Sequence, residues 1–354
     1  MFIAIIVIFA ICTSFSFVEE QIKERDKIVL FFLIGIGMIL IAGTRDIYDT
    51  PDSDNYERMF YSAKTLDFVI REPSFTFIAY YLKELGLGIN ALFFTYAIMS
   101  IPLRLHIIWK MSSMPLITLA IYISHYYQLH DLMQIRTAVA SALFLFAVYY
   151  RVEKNNKYAV LCLLIGTLFH YSALAGFIIF MFSSKPLKKY QEIILYSIVP
   201  LCMMFYFAGF DLGSFIPDEW GGNRLAVYRQ LKDKGIEDEQ AGWIFYKNPI
   251  VITNICMYYG CLIYHKFLTD YDKYLPIMIK IMAFAFFCML TLENISSVLA
   301  SRLNEYFEIV SIFMWTTAIY AFTPQLYGKI IINFVSSARC FACILVYTLG
   351  LLNR

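Results

Sequence analysis

Long apolar runs alternate with short polar segments along most of the chain. A helix needs about 20 apolar residues to cross a bilayer. The pattern therefore predicts an all-α, polytopic membrane protein with about ten full transmembrane helices and one re-entrant helix pair. The apolar runs are Met1–Val18, Ile28–Gly43, Ala91–Trp109, Pro115–Gln128, Gln134–Tyr150, Tyr158–Phe182, Glu192–Phe207, Pro249–His265, Tyr274–Leu290, Leu303–Phe322 and Ile330–Leu349.

Two longer hydrophilic segments, residues 44–90 and 208–248, interrupt this pattern and are predicted as loops. In the first loop, apolar residues recur at helical spacing after Glu72 and Pro73, two residue types that favour the first turn of a helix. The spacing predicts an amphipathic helix that lies along the membrane surface or dips into it. The second loop either closes over a cavity mouth or is a solvated connector. The apolar positions of the amphipathic helix are Phe75, Ile78, Ala79 and Leu82.

The distribution of Lys and Arg sets the predicted orientation, because short cytoplasmic loops carry most of these residues. With the N-terminus outside, the basic loops fall on the cytoplasmic side if the run Tyr158–Phe182 turns back near His170. A single crossing would instead put the basic segment 183–189 (SSKPLKK) outside. We therefore favour a re-entrant pair of short helices near His170, whose backbone must line protein or water, with both long loops outside. The alternative, an interfacial histidine on one long helix, stays open.

Composition supports insertion into a membrane. The 354 residues are 60% hydrophobic and 16% charged, with a mean hydropathy of +0.63, and a soluble domain could not cover so much apolar surface. The first run lacks the basic start and small-residue cleavage site of a signal peptide, so it predicts a retained helix. We treat residues 1–354 as a single integral membrane domain. The net charge of +2 gives no indication of nucleic-acid binding, and none is predicted.

Five cationic or titratable residues lie at or near the ends of apolar runs or interrupt them. A cation at mid-bilayer depth costs roughly 2.5–3.5 kcal/mol, so such residues usually face a cavity and mark a site. The predicted topology allows all five to reach the same face. The sequence thus predicts a cationic pocket for an anionic, membrane-borne substrate. The residues are Arg45, Arg71, Arg136, His170 and Arg302.

A series of motifs resembles the EpsG-like branch of bacterial polysaccharide polymerases, which includes Wzy-type O-antigen and capsule polymerases. The motifs are AGTRDIYDTPDSDNYERMF, REPSFTFIAYYLKELG, QIRTAVASALFLFAVYY, LFHYSAL and SRLNEYFEI, in the family's order and between Ile28 and Val310. The loop after the first arginine departs from the family pattern by an extra Pro and Asp. It is therefore open whether Asp52 or Asp54 occupies the family's aspartate position.

The resemblance implies a multispan glycosyltransferase of the GT-C type in the bacterial inner membrane, active on the periplasmic face. Its donor and acceptor would be undecaprenyl-diphosphate-linked oligosaccharide repeat units, joined into O-antigen or a related surface polysaccharide of the lipopolysaccharide class. Membrane lipid and a chain-length regulator protein are the further partners that this implies. The outside placement of both long loops, which follows from the Lys and Arg distribution alone, agrees with this location.

The expected reaction expels an anionic diphosphate, which needs cations to stabilise the developing charge. Arginine suits this role because its planar guanidinium binds phosphate oxygens in pairs and stays charged. We predict Arg45, Arg136 and Arg302 as the diphosphate clamp, with Arg71 as a fourth member. The alternative for each residue is interfacial snorkelling, in which the charged head simply reaches water.

His170 is the predicted general base for the acceptor hydroxyl, because histidine titrates near neutral pH. It could equally donate to the diphosphate or orient an arginine. Asp54 and Glu72, together with Asp52, are alternative bases or hydroxyl-orienting groups. His125 and His130 flank the outer end of the fourth run, where they either line the cavity or lie at the interface. Residues without a predicted catalytic role, expected near the inner face, are Arg104, His106 and His265.

Tyr56 and Tyr306 are predicted to stack on or hydrogen-bond to sugars. Asp52 and Asp54 form a D-x-D sequence, which in soluble nucleotide-sugar transferases holds a divalent cation. Because a guanidinium cluster already supplies positive charge, we predict neither a metal nor another cofactor.

Two other functions compete with the polymerase. An O-antigen ligase shares the donor and the membrane chemistry, but a single dominant outer loop is expected of it. A flippase for the same lipid-linked sugar would place charges near the bilayer midplane and often shows inverted repeats. Here the predicted cations gather at one face and no repeat is visible, which favours the polymerase.

Overall fold

The computed structural model describes residues 1–50, 52–63, 72–209, 248–293 and 296–352. Helices make up the secondary structure of these ranges, which contain no strand, and the predicted all-α class is confirmed. Arg71 and most of the second predicted loop, residues 208–248, lie outside the described residues.

The helix bounds are as follows. The α-helices are α1 (Phe2–Phe17), α2 (Glu24–Gly43), α3 (Ser53–Ser62), α4 (Pro73–Glu84), α5 (Ile89–Met111), α6 (Pro115–Ser124), α7 (Ile135–Val152), α8 (Asn156–Phe169), α9 (Lys189–Phe207), α10 (Pro249–Ile263), α11 (His265–Leu268), α12 (Leu275–Leu292), α13 (Ser297–Glu308), α14 (Ser311–Thr317) and α15 (Gln325–Leu352). A π-helix spans Tyr127–Met133, and 3₁₀-helices span Glu19–Gln21, Tyr171–Met181 and Ala318–Ala321.

Among the described residues, six helices are long and apolar enough to cross a membrane: α2, α5, α7, α9, α12 and α15. Five further apolar helices, among them α1, α6 and α8, have 10–17 residues. The chain is therefore a multi-pass membrane protein. The predicted count of about ten full spans is not confirmed, because several apolar runs are divided between two shorter helices.

The chain divides into two compact units, which are described separately. Unit 1 comprises Met1–Phe177 and Trp315–Arg354, and unit 2 comprises Ile178–Met314. In unit 2, helix α12 packs against α9 and α13. There Lys280 donates to the Ser183 carbonyl, and the buried carboxylate of Glu308 accepts hydrogen bonds from the side chains of Asn254 and Asn304. The prediction of a single membrane domain stays a prediction.

The first predicted loop, residues 44–90, contains two helices. Helix α4 begins at Pro73 with Glu72 as its N-cap and buries Phe75 and Ala79, so a helix forms where the pattern predicts one. Its position at the membrane surface stays a prediction. Helix α3 was not predicted. It begins after Asp52, carries an acidic residue in its first turn as helix N-termini favour, and buries one face of an otherwise polar segment.

The apolar run Tyr158–Phe182 is broken at His170. Helix α8 ends at Phe169, and His170 has an extended backbone with φ −153° and ψ 129°. A Cβ added to Gly166 would lie 3.3 Å from the Cβ of Ala173, seven residues further on. In a continuous helix such residues are separated by roughly 10 Å along the axis, so the chain is sharply bent here. The structure thus contains the predicted break.

One face of helix α5 organises unit 1. The helix packs against α2, α6 and α7. Four residues on its buried face follow one another at intervals of three, four and four positions. These spacings bring side chains to the same side of an α-helix. Unusually for a buried face, it combines aromatic, hydroxyl and guanidinium groups. The residues are Phe93, Tyr96, Ser100 and Arg104.

The start of helix α6 is joined to the connection between α1 and α2. The buried Glu19 carboxylate accepts the backbone N–H groups of Leu116 (2.8 Å) and Ile117 (3.3 Å), two groups that have no partner within the helix. The neighbouring Glu20 pairs with Lys329 of α15 at 2.8 Å. These contacts connect α1, α6 and α15.

Candidate functional site

Arg45 follows the C-terminal end of α2 and is 2% exposed. Its Nη1 donates to the carbonyl oxygen of Ala42 at 2.5 Å, and its Cζ lies 3.7 Å from the centre of the Phe93 ring. The other two guanidinium nitrogens, Nε and Nη2, are buried and donate to no group of the described protein. The side chain is thus held in place by α2 and α5, and two of its donor nitrogens have no acceptor among the described protein groups.

Burial lowers the pKa of Arg45 to about 10, and Tyr127, Tyr56, Asp131 and Asp49 oppose this shift. A group with this pKa stays protonated at neutral pH. The buried segment after α2 therefore carries a full positive charge. A buried cation with unused donors is suited to an anion with several oxygens.

A second guanidinium lies at the start of α7. Arg136 forms an ion pair through Nη1 with the Glu72 carboxylate, and both side chains are largely buried. Its Cζ lies 5.6 Å from the centre of the Tyr56 ring and 5.8 Å from that of Phe75. Beside this pair the hydroxyls of Ser74 and Tyr96 are 3.4 Å apart. Helices α3, α4, α5 and α7 thus meet around one ion pair.

Tyr56 connects the two arginines. Its ring faces Arg136, and its hydroxyl is close enough to Arg45 for an electrostatic interaction. Of the predicted residues, unit 1 therefore brings Arg45, Arg136, Glu72 and Tyr56 together. Glu72 lies at the N-cap position of α4, and its carboxylate pairs with Arg136 and makes no capping hydrogen bond to its own helix.

His170 lies at the bend after α8. Its Nδ1 accepts the backbone N–H of Ser172 at 3.2 Å. An amide N–H can only donate, so the proton of the neutral imidazole must be on Nε2. In neutral His170 the proton is therefore on Nε2, and the Nδ1 lone pair is occupied by the Ser172 N–H.

Asp54 lies on the exposed side of α3, where its carboxylate pairs with Arg58 at 3.3 Å. Asp52 is the N-cap residue of the same helix. Among the described residues there is no group of three or more His, Cys, Asp or Glu side chains that could hold a metal ion. The absence of a metal stays a prediction.

The two remaining predicted residues of the described chain belong to unit 2. Arg302 and Tyr306 both lie on α13, where Arg302 is exposed and Tyr306 is buried. The site of unit 1 is described without them. Their proposed roles, and that of Arg71, stay predictions.

A buried polar network around the π-helix was missed. The Asp131 carboxylate accepts the hydroxyls of Ser100, at 2.5 Å, and Tyr122. Arg104, for which no catalytic role was predicted, donates to Ser141 Oγ at 2.7 Å, in the second turn of α7. His130 Nδ1 lies 3.1 Å from the same hydroxyl. The signal that could have found it was the spacing of Ser100 and Arg104 on one face of α5.

His125, by contrast, contacts the Sγ of Cys343 at 3.2 Å, on helix α15. It is buried among protein groups, whereas the sequence left open a cavity-lining or an interfacial position.

The fold and site define a multi-pass, all-helical membrane protein with a buried cationic cluster suited to an anionic ligand. A family model, described as the EpsG family, matches residues 28–352. The chain therefore belongs to the EpsG family of exopolysaccharide/O-antigen polymerase-like membrane proteins, and the resemblance of the motifs is confirmed. No curated protein and no solved structure matches the chain.

Proposed function

We propose that the protein is a glycosyltransferase that polymerises undecaprenyl-diphosphate-linked oligosaccharide repeat units. The product is O-antigen or a related surface polysaccharide, made on the periplasmic face of the bacterial inner membrane. Membership of the EpsG family supports the polymerase class, and the apolar helices support the membrane location. We further propose about ten spans with a re-entrant turn at His170, which the sharp bend there supports.

The observation that carries this proposal is the state of Arg45. Two of its buried guanidinium nitrogens have no acceptor among the described protein groups. A buried donor without a partner costs about 1–3 kcal/mol, so a phosphate oxygen that accepts from these nitrogens relieves that cost. We assign Arg45 as the principal diphosphate ligand and Arg136 as the second.

His170 and Glu72 take complementary parts in the proposed reaction. His170 donates through Nε2–H to a diphosphate oxygen, and Glu72, the carboxylate beside Arg136, accepts the proton of the acceptor hydroxyl. The hydroxyl oxygen bonds to the anomeric carbon as the bond from that carbon to the diphosphate oxygen breaks. The electron pair of the broken bond leaves with undecaprenyl diphosphate. The ring of Tyr56 provides a surface for the sugar.

Purified protein in lipid nanodiscs, supplied with a lipid-linked repeat unit, tests the activity and the role of Arg45. Wild-type protein should give a ladder of polymers. Arg45→Ala should lower the rate about 100-fold or more, because one transition-state donor is commonly worth that factor. Arg45→Lys should be intermediate, since it keeps the charge and loses the planar fork. Full activity of Arg45→Ala would contradict the assignment.

Arg25→Ala is the matched control. Arg25 lies on the same helix, α2, but its side chain is 87% exposed, and its one ion pair with a described residue is to its neighbour Asp26. Its rate should equal that of wild type.

Deletion of the gene separates the competing functions in cells. Loss of a polymerase leaves core capped with single repeat units. Loss of a ligase leaves bare core with polymer still on the lipid carrier, and loss of a flippase leaves no surface repeat. Either of the last two results would overturn the proposed function.

A further inference from the structure

We propose that Asp131 is a positioning residue that fixes the π-helix and thereby sets the relative placement of Arg45 and Arg136. The inference rests on the proposed function for its effect on activity. Asp131 is not part of the predicted diphosphate clamp. The π-helix that contains it contacts neighbouring elements at both of its ends and at its centre.

At its centre the π-helix is fixed by Asp131, which is 2% exposed. Its two carboxylate oxygens accept separate hydroxyls, from Ser100 on α5 and from Tyr122 on α6. π-helices are rare and often mark functional sites. The carboxylate therefore connects the π-helix to two neighbouring α-helices.

The positive charge beside Asp131 is held on the same framework. The Cζ of Arg104 lies 5.2 Å from the centre of the Tyr122 ring, and its Nη2 donates to Ser141 Oγ and to the Ala138 carbonyl. Arg104 thus connects α5 and α7 next to the carboxylate. A buried charge requires such compensation, so Asp131 and Arg104 depend on each other.

The first end of the π-helix contacts the helix that precedes Arg45. The hydroxyl of Tyr127 donates to the Met38 carbonyl in α2 at 2.7 Å. Arg45 itself bonds to Ala42, one turn further along that helix. The position of Tyr127 is therefore coupled to the segment that carries Arg45.

The second end leads directly into Arg136. The π-helix ends at Met133, and α7 begins at Ile135, so Arg136 is the second residue of the next helix. The Leu132 carbonyl also accepts the hydroxyl of Thr50, which bonds to Ser53 at the start of α3. A shift of the π-helix would consequently move Arg136 relative to Arg45. A misplacement of about 1 Å can cost a factor of roughly 100 in rate.

The first measurement is steady-state polymerisation by full-length variants in nanodiscs. Asp131→Ala should lower kcat about 100-fold and Tyr122→Phe about 10-fold, with KM within about twofold of wild type, because the arginines remain but are displaced. Asp131→Asn, which keeps the shape and one acceptor oxygen, should retain more activity than the alanine variant. Tyr122→Phe keeps the test informative if Asp131→Ala does not fold.

Thr118→Val is the matched control for a lost buried hydrogen bond. Thr118 lies on α6 like Tyr122, and its hydroxyl contacts those of Thr316 (2.7 Å) and Ser112 (2.6 Å) and the Met114 carbonyl (3.0 Å). Because it loses more hydrogen bonds, this variant should lower the melting temperature at least as much as Tyr122→Phe, with unchanged kcat. Equal activity of the two variants per folded molecule would overturn the positioning role.

Hydrogen exchange provides a measurement that does not depend on the reaction. In Tyr122→Phe, amides of the π-helix and the first turn of α7 should exchange faster than in wild type, whereas Thr118→Val should leave them unchanged. Unchanged exchange in Tyr122→Phe would overturn the inference. Faster exchange, combined with a wild-type protein that makes no polymer, would keep the structural coupling and overturn the proposed function instead.

Discussion

At the scale of single residues, hydrogen-bond chemistry changes the roles that the sequence suggested. His170 was the predicted base, yet its Nδ1 accepts the Ser172 N–H, which leaves Nε2 as a donor. Glu72 was an alternative base, and its carboxylate is the partner of Arg136. Residue type and spacing identified both side chains, but only their neighbours reveal which atom carries a proton.

Substitutions at His170 distinguish a donor from a base. The amide nitrogen of Gln reaches about where Nε2 lies, so His170→Gln should keep activity within roughly tenfold of wild type. His170→Asn and His170→Ala lack a donor at that point and should lose about 100-fold or more. The measurement is the initial polymerisation rate of each variant at a fixed amount of folded protein.

The opposite pattern is expected if His170 is a general base. Neither amide can accept a proton near neutral pH, so Gln, Asn and Ala would then be equally inactive. Such a result would contradict the donor role and return His170 to the role first predicted.

At the scale of elements, strongly patterned segments were predictable from sequence and relative displacements of helices were not. The period of apolar residues and the Glu72–Pro73 start gave α4, and the polar interruption gave the break at His170. Helix α3 was missed because its segment is polar overall, although Tyr56 and Phe60, four residues apart, already mark an apolar face at helical spacing.

The contacts of Arg104 could not be predicted, because counting residues from a helix end ignores the offset between neighbouring helices. It is the sixteenth residue of the 23-residue helix α5, which put it near the inner face. In the structure it bonds to Ser141, only the seventh residue of α7. The π-helix occupies the chain directly before α7, so the part of α7 that Arg104 contacts depends on where this helix ends. No pattern within a single segment contains that information.

Close packing of α2 on α5 gives a prediction at this scale. A Cβ on Gly43 would lie 2.2 Å from Cδ2 of Phe94, which is too close for both to stay in place. Gly43→Ala should therefore destabilise the protein by about 1–3 kcal/mol and displace Arg45, two residues on. Both the melting temperature and the polymerisation rate should fall.

Gly260→Ala is the control for this substitution. Gly260 lies in α10 with no atom within 4 Å of an added Cβ, so alanine should be neutral or slightly stabilising there. An unchanged melting temperature in Gly43→Ala would show that Phe94 turns aside at no cost.

At the scale of the whole molecule, Glu19 makes the stability of unit 1 depend on pH. The carboxylate caps α6, and the adjacent Glu20 reaches α15, so the contacts join the first and last helices of the unit. Burial raises the pKa of Glu19 to about 7, although the N–H groups of Leu116 and Ile117 act in the opposite direction. The usual value for a glutamate is 4.5.

A raised pKa means that the folded protein binds this proton more tightly than the unfolded chain. The stability that protonated Glu19 contributes to the folded state is therefore fully present below pH 4.5. It is lost as the pH rises through about 7, a change of about 3 kcal/mol in the free energy of unfolding. The melting temperature in detergent should fall across this window, and Glu19→Gln, which does not titrate, should flatten the fall. Glu20→Gln, a largely exposed neighbour, should keep the wild-type slope. If the melting temperature of Glu19→Gln fell with pH as steeply as that of wild type, a group other than Glu19 would control the pH dependence. The ionised Glu19 carboxylate would then cap α6 at no cost to folding.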